Sequence, residues 1–160
     1  MPATLDPRWR IRRALPTEAE RLTRLARAAK AHWGYPASWL ETWVSQLTLT
    51  GQYIDQHRVT VAHDDRNILG MCALEDHGDH WMLEHVWIEP SFHRRGVGRD
   101  LVRDALDAAR RLGPVPVRLV SDPAARGFYE RLGARLVGEE PAPMEGNPER
   151  TLPRMEFDVG

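Results

Sequence analysis

The residues best equipped for chemistry stand together in His93-Arg-Arg-Gly-Val-Gly-Arg99, between the apolar run Val86-Trp-Ile88, which closes at Pro90, and a long amphipathic segment. Gly96 and Gly98 remove Cβ atoms where backbone N–H groups must converge on a ligand, and the first four N–H groups of a helix have no partner of their own. A strand, a glycine turn and a helix start in that order make an anion site. Arg94, Arg95 and Arg99 add positive charge, and the helix end adds roughly half a charge through its macrodipole, so a diphosphate suits this turn. The bland alternative is a solvated helix start whose glycines serve only the turn. A dinucleotide fold would need a third glycine where Leu101 or Val102 stands and an acidic strand end about 20 residues further on. A P-loop would need Gly-Lys-Ser/Thr, which is missing.

Positioning that turn takes a strand before it and a helix after it. Trp81 to Ile88 reads as the strand, and Gly96 to Leu112 as the helix, with Leu101, Ala105, Ala108, Ala109 and Leu112 on one side and Gly113 at its end. Val115 to Val120 is a β-branched strand, and a strand-helix-strand crossover makes it parallel to the first. Upstream, Trp9 to Arg13 forms a short strand before Pro16, and Thr17 can cap a helix that runs to about His32 and stops at Gly34. A second helical stretch carries Trp39, Leu40, Trp43, Val44 and Leu47 and frays near Leu49 to Gly51. Arg58 to His63 and Ile68 to Leu74 precede Trp81 to Ile88 as a meander. Downstream come a short helix over Pro123 to Leu132, stopped by Gly133, and a closing strand pair, Ala134 to Val137 with Leu152 to Val159, around a loop from Gly138 to Arg150. The expectation is one α/β domain over 1–160, with a mixed, mostly antiparallel sheet of about seven strands and about four helices.

At 160 residues and 42% apolar side chains, the chain suffices for one real core. The formal net charge is -1 with both signs mixed, which argues against nucleic acid as a partner. Lys30 is the only lysine, and the excess of arginine reflects genome base composition as readily as a need for phosphate-binding forks. Cys72 stands alone within an apolar run and reads as a small core side chain. Met1 to Arg13 lacks an apolar stretch, so neither a leader nor a membrane partner is indicated, and a soluble cytoplasmic protein is expected. Seven histidines show no spacing that closes a metal site. Exposed edges of a mixed sheet leave room for a homodimer.

Two blocks carry a resemblance to a known family. Val86-x-Ile88-x-Pro90-x-x-His93-Arg-Arg-Gly-Val-Gly98 resembles the strand and Gln/Arg-x-x-Gly-x-Gly/Ala turn of the GCN5-related N-acetyltransferase (GNAT) superfamily, with His93 where glutamine or arginine is usual. Asp122-Pro-Ala-Ala-Arg-Gly-Phe-Tyr129-Glu-Arg-Leu-Gly133-Ala134 resembles its Asn-x-x-Ala-x-x-Phe-Tyr-x-x-x-Gly-Phe block, with Asp122 for asparagine and Ala134 for phenylalanine. The resemblance implies acetyl-CoA as co-substrate, with the backbone of Val86, Trp87 and Ile88 pairing with the pantetheine arm like an added strand. It implies that residues 93 to 99 (His93, Arg94, Arg95, Gly96, Val97, Gly98 and Arg99) wrap the pyrophosphate. Asp122 takes the position whose side-chain amide usually contacts the pantetheine, and its carboxylate, which accepts but does not donate, puts that hydrogen bond in doubt. Phe128 joins the coenzyme-binding set through the motif, although it reads first as core.

Acetyl transfer to an amine in a ternary complex needs a neutral amine, support for the oxyanion and a proton for the leaving thiolate. Tyr129, whose phenol titrates near 10 when unperturbed, fits the last task, against the alternative of an idle hydroxyl packed on Phe128. No carboxylate stands on Val117 to Val120, which leaves Glu84 as the candidate general base, directly or through water, against a plain solvent-facing strand glutamate. A regular strand would point His85 to the opposite face. Backbone N–H groups near Ile88 could polarise the thioester carbonyl.

The acceptor cleft of such a fold lies between the first helix pair and the last strands. Trp33, Tyr35, Trp39, Trp43 and the loop Met144 to Arg150 would line it. They could form an apolar or cation-binding wall, although the spacing of Trp39 and Trp43 reads first as core. Arg150, by its loop position alone, is a candidate to hold an acceptor carboxylate. A small-molecule amine is the expected acceptor. A protein N-terminus or lysine, and a non-catalytic acyl-CoA-binding module, are the alternatives.

Overall fold

The computed structural model describes residues 8–159; residues 1–7, part of the stretch read as lacking a leader, lie outside the described residues. The sheet is assembled from β1 (Arg10–Arg13), β2 (Arg58–His63), β3 (Ile68–Asp76), β4 (Trp81–Ile88), β5 (Val117–Val120), β6 (Arg135–Pro141) and β7 (Thr151–Phe157). Its order is β1-β2-β3-β4-β5-β7-β6, and every pairing is antiparallel except that of β4 with β5. The crossover between those two strands is α4 (Val97–Leu112), a helix long enough to span the sheet.

Helical periodicity decides which face each helix covers. Leu22, Leu25, Ala26 and Ala29 form the buried stripe of α1 (Ala19–Ala31), and Leu22 and Leu25 pack with Val59, Val61 and Met71 on one face of the sheet. Val97, Leu101, Val102, Ala105, Leu106 and Ala109 of α4 pack on the other face with Val117, Met155 and Tyr129 of α5 (Arg126–Arg131). Trp9 ties its edge to α4 by donating from Nε1 to Asp100 at 3.0 Å.

Three local expectations change. Thr17 does not cap α1; Glu18 ties its start, accepting from the Leu15 N–H at 2.8 Å while pairing with Arg12. The second helical stretch splits into α2 (Ala37–Thr42) and turns to Leu47, and Gly51 opens a further helix, α3 (Gly51–Gln56), in place of the expected fraying. Thr50 caps α3 by accepting from the Tyr53 N–H at 3.1 Å, which makes five α-helices among the described residues where about four were expected. Strand β6 runs on to Pro141, so the late loop is 142–150. Among the described residues no helix is long and apolar enough to cross a membrane.

Candidate active site

The site begins with a defect in the sheet. Leu83 pairs with Leu74 and His85 with Ala73, so Glu84 is an extra, unpaired residue, a β-bulge in the middle of β4. The parallel ladder to β5 holds only Trp81 with Val117 and Met82 with Arg118. Beyond Met82 the two strands splay, which leaves the β5 side of Leu83 to Ile88 without a strand partner. Val86 and Ile88 pack toward α4, and Trp87 packs toward α1.

The turn after β4 is shaped by backbone conformation. Arg94 has φ 62° and Gly96 φ 95°, both in the left-handed region, which a non-glycine residue adopts at a cost. Among the described residues no acceptor takes the backbone N–H of any residue from Arg94 to Arg99, and the first helical bond runs from the Asp100 N–H to the Gly96 carbonyl at 3.0 Å. Six successive free donors and the positive end of a 16-residue helix therefore share one concave turn. A Cβ on Gly98 would stand 3.3 Å from the Phe128 ring and 3.5 Å from Ile88 Cγ1, so that glycine also lets Phe128 close over the helix start. The His93 Nε2–H donates to the Ile88 carbonyl at 3.2 Å, and its ring meets those of His32 and Trp33. Arg95 turns away from the cleft and lies over the Phe92 ring at 5.1 Å.

A cleft of about 1260 Å³ joins this turn to the splayed strands, with Glu84, Trp87, Asp122, Tyr129 and Arg150 in its walls. Tyr129 is buried, its ring edge-on to Phe128 at 4.9 Å. Burial first, then the charges of Cys72 and Asp122, raise its phenol above the usual value. Its hydroxyl has no hydrogen-bond partner among the described residues. Burial also pushes the Cys72 thiol up to about 12, in keeping with its place in the core. Glu84 is exposed to the cleft, and the protein crowded around its carboxyl, then the charge of Glu75 on β3, raise that group against the opposing pull of His77. Glu75 accepts from the Tyr53 hydroxyl at 2.5 Å and from His77 at 2.9 Å.

The bulge corrects one expectation about the strand. Because β4 is irregular at Glu84, that residue and His85 line the same cleft. His85 is nevertheless no rival base. Burial lowers its pKa to about 4, and its Nδ1 accepts from the Trp87 indole N–H at 2.9 Å, which leaves the ring proton on Nε2.

At the far end of the cleft the aromatic wall already holds cations of this chain. The Lys30 ammonium sits 4.4 Å from the Trp43 ring, 4.9 Å from Tyr35 and 6.0 Å from Trp87, and pairs with Asp122 at 3.0 Å. Asp122 Oδ2 also accepts from the Tyr35 hydroxyl, and Oδ1 from the Ala124 N–H, so both oxygens are engaged within the protein. Burial alone would raise the Asp122 carboxyl; these donors outweigh it and hold the group below the ordinary range. Burial and the same carboxylate push Tyr35 up to about 12. Trp43 is core, whereas Trp39 is half-buried and donates from its indole to the Glu145 carbonyl at 2.9 Å, tying the 142–150 loop to α2. Tyr35 and Trp39 line a neighbouring hollow of about 650 Å³ that meets the main cleft at Asp122, Ala124 and Arg150.

Thus Glu84, Val86, Trp87, Ile88, His93, Arg94, Gly96, Val97, Gly98, Arg99, Asp122, Phe128, Tyr129, Trp33 and Arg150 come together, while Arg95 and Tyr35 lie off the main cleft. Sequence reasoning missed Lys30 and Glu140, which also line it. Being the only lysine was a signal for the first; nothing marked the second. Among the described residues no group of three or more His, Cys, Asp and Glu side chains is placed to hold a metal ion.

The sequence model of the family described as Acetyltransferase (GNAT) domain matches residues 55–133, which span β2 to α5 and include the first motif block and the second as far as Gly133. No curated protein sequence matches the chain significantly. Solved structures with the same fold include PaiA N-acetyltransferase from Thermoplasma acidophilum in complex with coenzyme A, with 17% identity, TM-score 0.76 and coverage of 94% of this chain and 98% of that one. YncA from Salmonella typhimurium, solved with its cofactor acetyl-CoA, superposes with TM-score 0.71 at 16% identity over 95% of this chain and 94% of that one. An aminoglycoside 6′-N-acetyltransferase complexed with coenzyme A gives TM-score 0.70 at 17% identity, over 94% and 97%.

Proposed function

This chain belongs to the GCN5-related N-acetyltransferase superfamily, and from that membership we propose that it is an acetyl-CoA-dependent N-acetyltransferase whose acceptor is the primary amine of a small molecule, attacked directly in a ternary complex. The observation that carries the reading is the run of unpartnered N–H groups from Arg94 to Arg99 at the end of a strand whose ladder has opened. Those donors, with Arg94 and Arg99, fit a pyrophosphate, and the free edge of Val86 to Ile88 fits the amides of a pantetheine arm. Asp122, engaged by Lys30, Tyr35 and Ala124, caps the turn over Pro123–Ala125 that leads into α5 instead of reaching the arm. The coenzyme supplies an activated acetyl thioester.

The residues then divide the proton work. Glu84, its carboxyl raised above the ordinary glutamate range, takes the proton that the acceptor nitrogen loses as the N–C bond forms. Tyr129 gives a proton to the sulfur as the C–S bond breaks, so one proton leaves nitrogen and one arrives at sulfur. Its unpartnered hydroxyl on the cleft wall supports that role. Backbone N–H groups of the splayed segment near Ile88 face the position of the carbonyl oxygen in this reading. The whole chain, 1–160, acts as one acyltransferase domain. The test is thiol release from acetyl-CoA across a panel of primary amines and peptides: turnover with small amines supports the reading, turnover with peptides alone moves the acceptor to protein, and coenzyme binding without turnover on any amine makes the chain a binding module.

A further inference from the structure

We propose that Arg150 anchors a carboxylate on the acceptor, so that the amine taken by this cleft belongs to an amino acid or a similar amino carboxylate with an apolar or aromatic body. The assignment rests on the acetyl-transfer reading above and deepens it. Among the described residues nine arginines pair with carboxylates of this chain: Arg12, Arg21, Arg24, Arg58, Arg99, Arg110, Arg118, Arg126 and Arg135. Of the described arginines without such a partner, every one is exposed except Arg150, which is half-buried in the wall of the cleft.

Its surroundings remove water without neutralising it. The guanidinium lies 5.4 Å from the Trp39 and Trp43 ring centroids and 5.9 Å from that of Tyr35. Aromatic faces attract a cation through their quadrupole yet take up none of its N–H donors. Among the described residues it donates from Nη1 to the Ala142 carbonyl at 3.3 Å, and the Tyr35 hydroxyl, already bonded to Asp122, is its other polar neighbour, which leaves several of five donors free. Glu145 and Glu149 share its loop, and neither pairs with it. Lys30, the other cation at this end, is neutralised by Asp122 at 3.0 Å, so the uncompensated positive charge is that of Arg150. Glu84 and Glu140 bring negative charge to the same cleft. The acceptor half is therefore dipolar, with carboxylates available to an amine and a desolvated guanidinium fork available to a carboxylate, whose planar geometry it matches.

The test is thiol release with matched pairs, phenylalanine against phenylalaninamide and methionine against methioninamide, which differ at the carboxylate and keep the α-amine. The expected kcat/KM for the acid exceeds that for the amide by about 10- to 100-fold, the range of a charge-assisted pair. Arg150→Ala should abolish that preference by raising KM for the acid, with the amide and the KM for acetyl-CoA little changed, and Arg150→Lys should keep part of it. 3-Phenylpropanoate, which has no amine, should compete with the acceptor in the wild type and not in Arg150→Ala. Equal use of acid and amide, or an equal loss of both in Arg150→Ala, overturns the carboxylate anchor and leaves acetyl transfer standing. No thiol release with any amine of the wider panel overturns the transfer reading, and the anchor falls with it.

Discussion

Gly96 offers a way to separate the ligand requirement of the turn from its effect on folding. With φ 95° it sits where an L side chain is strained, and a Cβ there would also stand 2.8 Å from Arg99 Nη2. That second contact is with the end of a flexible side chain and is relieved cheaply, so the backbone term dominates at about 1–2 kcal/mol. A turn that relaxes to escape the strain must be forced back when the pyrophosphate binds, which weakens coenzyme affinity by about 5- to 30-fold. Gly78, in the β3–β4 turn, has a similar φ of 89°, has nothing within 4 Å of its ideal Cβ, and lies outside the cleft. Gly78→Ala therefore carries the same backbone penalty without the ligand. Gly78→Ala should lose about 2–8 °C in Tm and keep the wild-type Kd for coenzyme A by calorimetry, whereas Gly96→Ala, whose turn relaxes in the free protein, should lose less in Tm and alone show the weakened Kd. Matching Kd values in the two variants would refute the argument that the left-handed turn is held for an anion.

Tyr129→Phe should lower kcat by about 100-fold or more in the thiol-release assay while leaving Tm nearly unchanged, because the lost hydroxyl has no protein partner; an unchanged kcat rejects it as the acid. In the wild type, kcat/KM should fall as pH drops through a value above the ordinary glutamate pKa of about 4.3, since Glu84 works ionised and its carboxyl is raised. That limb should vanish in Glu84→Gln, and its survival there would remove Glu84 from the mechanism. Asp122→Asn leaves Lys30 in its aromatic box without a counter-charge and should cost about 2 kcal/mol or more at neutral pH by denaturant melt. The wild-type Asp122 carboxyl is depressed in the folded state, so its contribution is present above about 3.9 and is lost as pH falls through the folded value. The two melts should therefore converge in acid, and a constant gap would contradict the ion-pair account.

The parts of the fold fixed by long periodic segments were legible. The stripes of α1 and α4 and the meander of β2 to β4 read directly because each buries one face of a regular element. The motif turn was legible because glycines at fixed spacing carry backbone information. α3 escaped notice because it is 6 residues long and opens at Gly51, a residue that reads as a stop when its Thr50 cap is overlooked. The bulge at Glu84 left no trace in the alternation of β4, since an extra residue is defined only by its partner strand. The Lys30–Asp122–Tyr35 cluster joins the end of α1 to the end of β5 across 92 positions, a pairing that only the closed fold creates.

The central claim is that the amides of Arg94 to Arg99 grip a pyrophosphate. Its most direct test is calorimetry of the purified chain with coenzyme A and, separately, with pantetheine, which shares the arm and lacks the pyrophosphate. Coenzyme A should bind with pantetheine at least about 100-fold weaker, the loss expected when several charge-assisted hydrogen bonds disappear together. Equal affinities, or no heat with coenzyme A at millimolar concentration, would contradict the account.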